Sequence, residues 1–372
     1  MYHIRVSDDY WTMLERRKPT WNIGINSMLA WAVGLNPTKD TFWSARENPG
    51  YTRPGEGLYN TTEPHPALEV LASTLSAGQV GTVACRVAII AFACLTHLDD
   101  GVASGAQVAF GDSIGQWDTG LLMRSCDAAG NLLRADTPLI PIDRTFLAPG
   151  ASGSLQTNVT ITHSHVDLQA TYDDGEERQT SPYRSHLVLV SSLSAQKVAA
   201  SVTVADLWPL DAPPSSVEYA VVQLERTGVH VPSVAGLLPP VSSSFNPTSD
   251  LVLTIEAPNA TAAASGVVPY ALVLAAPTVN VAGAEWAFLG DAVGKYVPVS
   301  SARFSSLVFT GAEATCTASG QAGEAVTAVF LHRVSASSAF SAYSASCAVS
   351  QGKSSVVLRV ASDGTPSCAS SP

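Results

Sequence analysis

The sequence VGTVACRVAIIAFACLTHLDDGVASGAQVAF, residues 80–110, is the longest nearly unbroken apolar run in the chain. Its β-branched residues, Val87 and Ile89 among them, favour a buried strand over a helix. An Asp-Asp-Gly turn signal follows at 99–101, and residues 106–110 read as a second short strand. A strand that is apolar on both faces belongs in the middle of a sheet covered on both sides. The stretch therefore predicts the core of a mainly β domain.

The composition is unusually poor in charge for a chain this apolar. Hydrophobic residues make up 46 % of the sequence, but charged residues make up only 14 %, against about a quarter in ordinary soluble domains. The surface must therefore be built largely from Ser, Thr, Ala and Gly. Because such a surface loses little hydration when it is covered, it suits extended contacts with other protein.

The charge balance argues against nucleic acid as a direct partner. The formal net charge is −11, whereas nucleic-acid binders normally carry a basic patch or arm. The one local basic cluster, residues 16–18, reads as a solvated helix end. No stretch reaches the roughly 18 to 20 apolar residues that span a bilayer, and no standard export signal opens the sequence. We expect neither nucleic-acid binding nor membrane insertion.

The six cysteines contain no C-x-x-C pair, which argues against a zinc cluster and against a redox motif. Cys316, Cys347 and Cys368 fall together near the end of the chain, where a disulfide is open but its pairing is not fixed by the spacing. We assign no catalytic residue, no cofactor-binding residue and no metal ligand from the cysteine pattern.

The order of turn signals and strand patterns suggests four segments. Residues 1–63 form an extended N-terminal arm, rich in tryptophan, that we expect to contact its own domain or a neighbouring subunit. Residues 64–236 form a jelly-roll-like β-sandwich domain with one helix. Residues 237–250 are a Pro/Ser-rich linker. Residues 251–372 form a second, smaller C-terminal β-sandwich domain built from about eight short strands.

Three local patterns define the first sandwich domain. Residues 66–75 (PALEVLASTL) have proline in the first turn and one apolar face, which predicts a helix. Residues 121–126 and 132–135 read as two strands flanking a hairpin-like loop. Residues 157–172 (TNVTITHSHVDLQATY) read as one long alternating strand. Its apolar positions change parity along the strand, which suggests a bulge near residues 163–165.

One short motif points to hydrolase chemistry. The sequence Phe-Gly-Asp-Ser at 110–113, with Asp-Thr-Gly at 118–120, resembles the first block of the GDSL esterase and lipase family. The resemblance implies that Ser113 is the nucleophile and that its backbone N–H helps to form an oxyanion hole. The family also needs an Asp-x-x-His block, but no histidine here has an aspartate three positions before it. A GDSL-like serine esterase using Ser113 is therefore an alternative function.

The Asp-Thr-Gly at 118–120 is also typical of the catalytic loop of aspartic proteases. Those enzymes need two carboxylates that share a proton, and hence two such loops or a dimer. The chain has no second Asp-Thr-Gly or Asp-Ser-Gly, and Leu121 replaces the usual small polar residue. We interpret this motif as part of a strand–turn–strand segment.

His163 and His165 lie on one face of the long predicted strand, as paired imidazoles do in metal-binding cupins and carbonic anhydrases. A metal site needs a third ligand and supporting partners, and the cupin spacing places Ala170 where a glutamate is required. Asp167 shares the face and would allow a weak site. We interpret the pair as a polar strand face and assign no metal ligand.

The order of predicted elements and the composition of the chain resemble those of viral coat and capsid-protrusion proteins. The helix at 66–75 leading into the apolar run, and the Ala/Ser/Thr/Val-rich C-terminal module, carry the resemblance. It implies a non-enzymatic structural protein of the virion, assembled in the host cytoplasm. Such a subunit associates with itself as a homo-oligomer, and with another capsid protein, through low-charge β surfaces. A glycan- or protein-binding β-sandwich module is a further alternative function.

Overall fold

The computed structural model describes residues 3–5, 23–39, 42–47, 51–53, 57–59, 63, 65–76, 116–143, 145, 159–192, 197–209, 211–226, 229–230, 242–256, 268–334 and 338–370. The apolar stretch 80–110 and Ser113 lie outside these residues.

The described residues form three α-helices and twenty-one β-strands. The helices are α1 (Ile23–Ala32), α2 (Pro66–Ser76) and α3 (Thr119–Leu122). The first eleven strands are β1 (His3–Arg5), β2 (Asn36–Thr38), β3 (Tyr51–Arg53), β4 (Gly57–Tyr59), β5 (Ile140–Pro141), β6 (Val159–Asp173), β7 (Arg178–Ser192), β8 (Val198–Val202), β9 (Tyr219–Arg226), β10 (Val229–His230) and β11 (Ser242–Phe245). The other ten are β12 (Leu251–Ile255), β13 (Tyr270–Pro277), β14 (Val279–Val281), β15 (Ala284–Gly290), β16 (Phe304–Thr310), β17 (Glu313–Ser319), β18 (Ala325–Arg333), β19 (Ser341–Ala348), β20 (Ser355–Ala361) and β21 (Pro366–Ser370).

The predicted mainly β fold is confirmed. Nine strands follow one another across the largest sheet in the order β10-β9-β13-β7-β6-β16-β17-β20-β21, with β11 pairing β9 and β5 pairing β6. Within this sheet β6 and β16 run parallel, whereas the other pairs are antiparallel. A second sheet has the order β14-β15-β18-β19, and β8 pairs with β12. The jelly-roll connectivity stays a prediction.

Strands β6 and β7 form a hairpin that is covered on both faces. Val166 and Leu168 point into a large core shared with α2 and the four-stranded sheet. Ile161 points the other way, into a smaller core under β8 and β12. The two strands pair without any shift of register along all fifteen residues of each. The predicted bulge near 163–165 is therefore wrong: the apolar positions change parity because the covering layer changes along the strand.

Strands on both sides of residues 237–250 pair with each other. β12 is antiparallel to β8, and β13 lies between β7 and β9. The Pro/Ser-rich segment thus connects strands of the same sheets, and it contains β11 itself. Turn-forming residues mark a reversal of the chain. A connection between strands of one sheet needs such a reversal as much as a linker between domains does.

The predicted helix at 66–75 is confirmed as α2, whose residues from Leu68 onward are buried. The predicted strand at 121–126 is wrong, because its first two residues belong to α3. Asp118 begins that helix, since its Oδ1 accepts a hydrogen bond from the Leu121 backbone N–H at 2.9 Å. No helix of the described residues has the length and apolar character needed to cross a bilayer.

Parts of the N-terminal segment pack on their own chain. β1 pairs with β2, and α1 contacts β2, β5 and α2. Phe42 is fully buried in the large core. Beside it, Lys39 forms an ion pair with Glu69 of α2, and both side chains are inaccessible to solvent. The segment is thus attached to α2 and to the large core by a buried charge and a buried ring.

The disulfide that the cysteine pattern left open joins Cys347 of β19 to Cys368 of β21, while Cys316 is a buried free thiol. Replacing both bridged cysteines with serine is expected to lower the free energy of unfolding by about 3 kcal/mol, because the bridge restricts the unfolded chain. Urea unfolding measures this change. Reduced wild-type protein serves as the control and should match the variant; equal stability of the oxidised and reduced wild type would contradict the expectation.

Candidate functional site

The register of the β6–β7 hairpin collects polar side chains on one face of the central sheet. His165 lies directly opposite His186, and Asp167 lies opposite Arg184. His163 shares the face, two residues before His165. Directly opposed residues of an antiparallel pair project to the same side of the sheet, so three imidazoles and an ion pair become neighbours.

The three imidazoles form a histidine cluster, defined by His163, His165 and His186. The ring centroids of His163 and His165 lie 6.3 and 6.1 Å from that of His186. His163 and His186 are 1 % and 0 % exposed, and neither ring nitrogen of either side chain has a hydrogen-bond partner among the described residues. Burial lowers the pKa of His163 to about 3 and that of His186 well below its ordinary range. Both rings are therefore neutral at pH 7.

The cation nearest to the cluster is already engaged. Arg184 donates from Nε and Nη2 to both oxygens of Asp167, at 2.7 and 2.8 Å, and from Nη1 to Asp211 at 3.3 Å. Its guanidinium lies 4.4 Å from the centre of the Trp208 ring, and the Trp208 indole N–H donates to the Tyr219 hydroxyl at 3.0 Å. Burial raises the pKa of Tyr219 to about 12. Bidentate pairing and ring stacking hold Arg184 in one orientation.

A cleft of about 560 Å³ opens over this face. The lining residues include side chains from α1, β6, β7 and the turn after β8: Trp31, Asp136, Thr137, Ile140, His163, His165, Asp167, Arg184, Leu207, Trp208, Pro209, Asp211 and Ser301. The Thr137 hydroxyl accepts from the His165 backbone N–H at 3.0 Å and lies 3.4 Å from His165 Nδ1. Asp136 accepts from the Asp167 backbone N–H at 2.7 Å. The cleft therefore has fixed polar walls and a tryptophan on its helical side.

The sequence pattern indicated the pair His163 and His165 but not His186, which lies 21 positions beyond His165. The signal was present, because the Asp-Asp-Gly turn at 173–175 folds the two strands back symmetrically and brings His186 opposite His165. Within the described residues, no three possible ligands are arranged to hold a metal ion. The side chain of Asp118, the aspartate of the Asp-Thr-Gly motif, caps α3.

A second feature is an exposed apolar face, called the outward face of α1, formed by Leu29 and Ala32 of the helix and by Val33 directly after it. Ser27 and Ala30 of the helix are buried, whereas Leu29 is 56 % exposed and Val33, directly after the helix, is 71 % exposed. A helix on the surface of a domain normally does the opposite. The sequence IGINSMLAWA also carries no charged residue. No charge therefore opposes covering this face with protein.

No protein-family model matches the chain. A comparison with curated proteins also finds no match.

Proposed function

We propose that this chain is a non-enzymatic structural subunit that assembles with copies of itself, of the kind found in viral capsids or capsid-surface protrusions. The observation that carries the proposal is the polarity of the outward face of α1, where Leu29 and Val33 are exposed while Ser27 and Ala30 of the helix are buried. The low-charge composition and the mainly β architecture support it. Assembly in a host cytoplasm and incorporation into a virion belong to the same proposal.

The absence of charge makes the outward face of α1 the place where two copies of the chain can meet. Each copy carries a formal net charge of −11, so two copies repel each other wherever their acidic surfaces meet. The outward face of α1 has no charged side chain, and depletion of charge is what distinguishes the core of a protein–protein interface. A face that meets its own copy around a two-fold axis must complement itself, and an uncharged apolar face does.

The cleft supports a structural role more than a catalytic one. Asp167 is fully engaged with Arg184, and the neutral His163 and His186 have no acid or hydroxyl within hydrogen-bond distance among the described residues. Nucleophilic catalysis needs a nucleophile, a base and an orienting group in hydrogen-bonded sequence. His163 and His186 are not part of such a sequence. His165 lies between the Thr137 hydroxyl and Asp167, at 3.4 and 4.0 Å, but Arg184 holds that carboxylate and the hydroxyl already accepts from the His165 backbone N–H.

Val33→Asp is expected to break the assembly. A carboxylate at the centre of a covered apolar face would be buried without a partner, which costs several kcal/mol, so association should weaken on the order of 100-fold or more. Light scattering after size exclusion measures the mass of each species. Wild type should be oligomeric, and the variant should shift to the monomer mass of 38.7 kDa.

Val334→Asp is the matched control, because Val334 is 72 % exposed and directly follows β18, whereas α1 packs on β2, β5 and α2. It should leave the oligomer intact, and circular dichroism should show all three proteins folded. A wild-type chain that is monomeric throughout the accessible concentration range would overturn self-assembly. Equal loss of mass in both variants would overturn the assignment to α1.

A further inference from the structure

The histidine cluster and α1 meet in the same cleft. Trp31 of α1 lines it together with His163 and His165. Ile140 of β5 pairs with His163, and α1 packs on β5. The strand on which α1 packs and the three imidazoles are therefore parts of one local structure. Contacts therefore link the cluster to α1 through β5 and through the Trp31 side chain.

Protonation has no compensating partner at the two buried rings. The polar groups that face the cluster from the surrounding elements are Asp167, Arg184, Tyr219, Trp208, Asp211, Asp136, Thr137 and Ser301. Asp167 and Asp211 are paired with Arg184, and Asp136 accepts from the Asp167 backbone and from Ser301. Asp167 lies 4.0 Å from His165, and no carboxylate of the described residues is hydrogen-bonded to His163 or His186.

Two charges in this cluster would also repel each other. Imidazolium rings whose centres are about 6 Å apart, inside a face that excludes water, interact far more strongly than the same charges in solution. Arg184 adds a third positive charge beside them. Opening the cleft to water is the way to accommodate the protons, because the neutral rings are tolerated in the closed form and charged rings are not.

We propose that the histidine cluster is an acid-operated switch that opens the cleft, releases α1 and dissociates the assembly. The proposal rests on the proposed function for its last step alone. The imidazoles are neutral when folded and protonate more readily when unfolded, so the unfolded chain binds more protons below pH 6.5. The free energy of unfolding is therefore not reduced by these rings above pH 6.5. It decreases as the pH falls from 6.5 toward about 3, the pKa of His163.

The test compares wild type with the double variant His163→Leu/His186→Phe, whose apolar side chains cannot titrate. Each of these histidines should lower the folding equilibrium constant roughly 30-fold between pH 7.5 and 5, and the two together on the order of 10³-fold. Urea unfolding at both pH values should show this loss in wild type and lack it in the double variant. At pH 7.5 the variant should be at least as stable as wild type, because two unpaired buried polar groups are removed.

Light scattering provides the second measurement: wild type should dissociate by pH 5, while the double variant should stay assembled. His332→Gln is the control, since His332 is a buried histidine outside the cluster, whose ring centroid lies 4.2 Å from that of Trp286. It should leave the dissociation of wild type unchanged.

Three results would overturn the switch. Equal loss of stability in wild type and in the double variant removes the role of the histidines. A wild-type assembly that survives at pH 5 while its stability falls removes the link to α1. Deuterium exchange at the imidazole C2 position, read by mass spectrometry, gives each pKa in wild type itself; values near 6.5 for His163 and His186 would end the proposal even if the variant failed to fold. A wild type that is monomeric at pH 7.5 instead refutes the proposed function, and the unfolding measurements still decide the switch.

Discussion

Replacing Lys39 with alanine is expected to lower the free energy of unfolding by about 3 to 5 kcal/mol, because it leaves a buried carboxylate unpaired. Lys39 and Glu69 form an ion pair in which both side chains are inaccessible to solvent. The ammonium group also lies 5.2 Å from the centre of the Phe42 ring, which is itself in the core. The pair thus fastens the N-terminal segment to α2, and urea unfolding at pH 7 measures its loss.

The control removes both charges together. A Lys39→Met/Glu69→Leu double variant keeps the volume and leaves no unpaired charge, so its stability should lie near that of wild type or above it, as for other buried pairs replaced by apolar side chains. If Lys39→Ala alone cost less than about 1 kcal/mol, the value of an exposed pair, the pair would have to be open to solvent. The placement of Lys39 beside Glu69 of α2 would then be wrong.

The sequence predicts those parts of the fold that depend on local pattern. The strand expected at 157–172 is β6, Val159–Asp173, because alternation along a half-covered strand is a local property. The helix expected at 66–75 is α2 for the same reason: its first-turn proline and apolar face lie within eleven residues. The strand expected at 121–126 failed because one side-chain cap, that of Asp118, outweighs the strand propensity of the residues that follow.

Non-local pairing accounts for what the sequence does not reveal. β6 lies beside β16, more than a hundred residues later and parallel to it, and no pattern within either strand specifies that neighbour. The wrong prediction of a bulge has the same cause. The apolar residues of β6 face one core in the first part of the strand and another core, on the opposite face, in the second part, so their positions change parity as they would at a register shift. His186 joined the candidate site only through the register of a hairpin. The sequence of α1 is apolar throughout and would suit a fully buried helix equally well. It therefore does not indicate that one face of the helix is exposed.

Gly290→Ala is expected to destabilise the protein by at least about 4 kcal/mol, a loss reached only by substitutions that the native structure cannot accommodate. Gly290 ends β15 with a φ of +61°, a conformation that favours glycine. A Cβ on this residue would lie 2.1 Å from the carbonyl oxygen and 2.7 Å from the carbonyl carbon of Pro298. That oxygen accepts from the Asp291 backbone N–H at 2.9 Å, so two backbone segments meet here without room for a side chain.

Neither segment can move aside cheaply. Phe288 and Leu289 before the glycine, and Val297 and Val299 across from it, are all 0 % exposed, so displacing the backbone would disturb a close-packed core. Gly283→Ala is the matched control, because Gly283 also has a positive φ, +86°, but no atom lies within 4 Å of its added Cβ. That variant should lose only about 1 to 2 kcal/mol, the cost of the left-handed conformation itself. Urea unfolding of the two variants separates backbone conformation from collision, and equal losses would show that the contact between residues 290 and 298 is not as close as the structure places it.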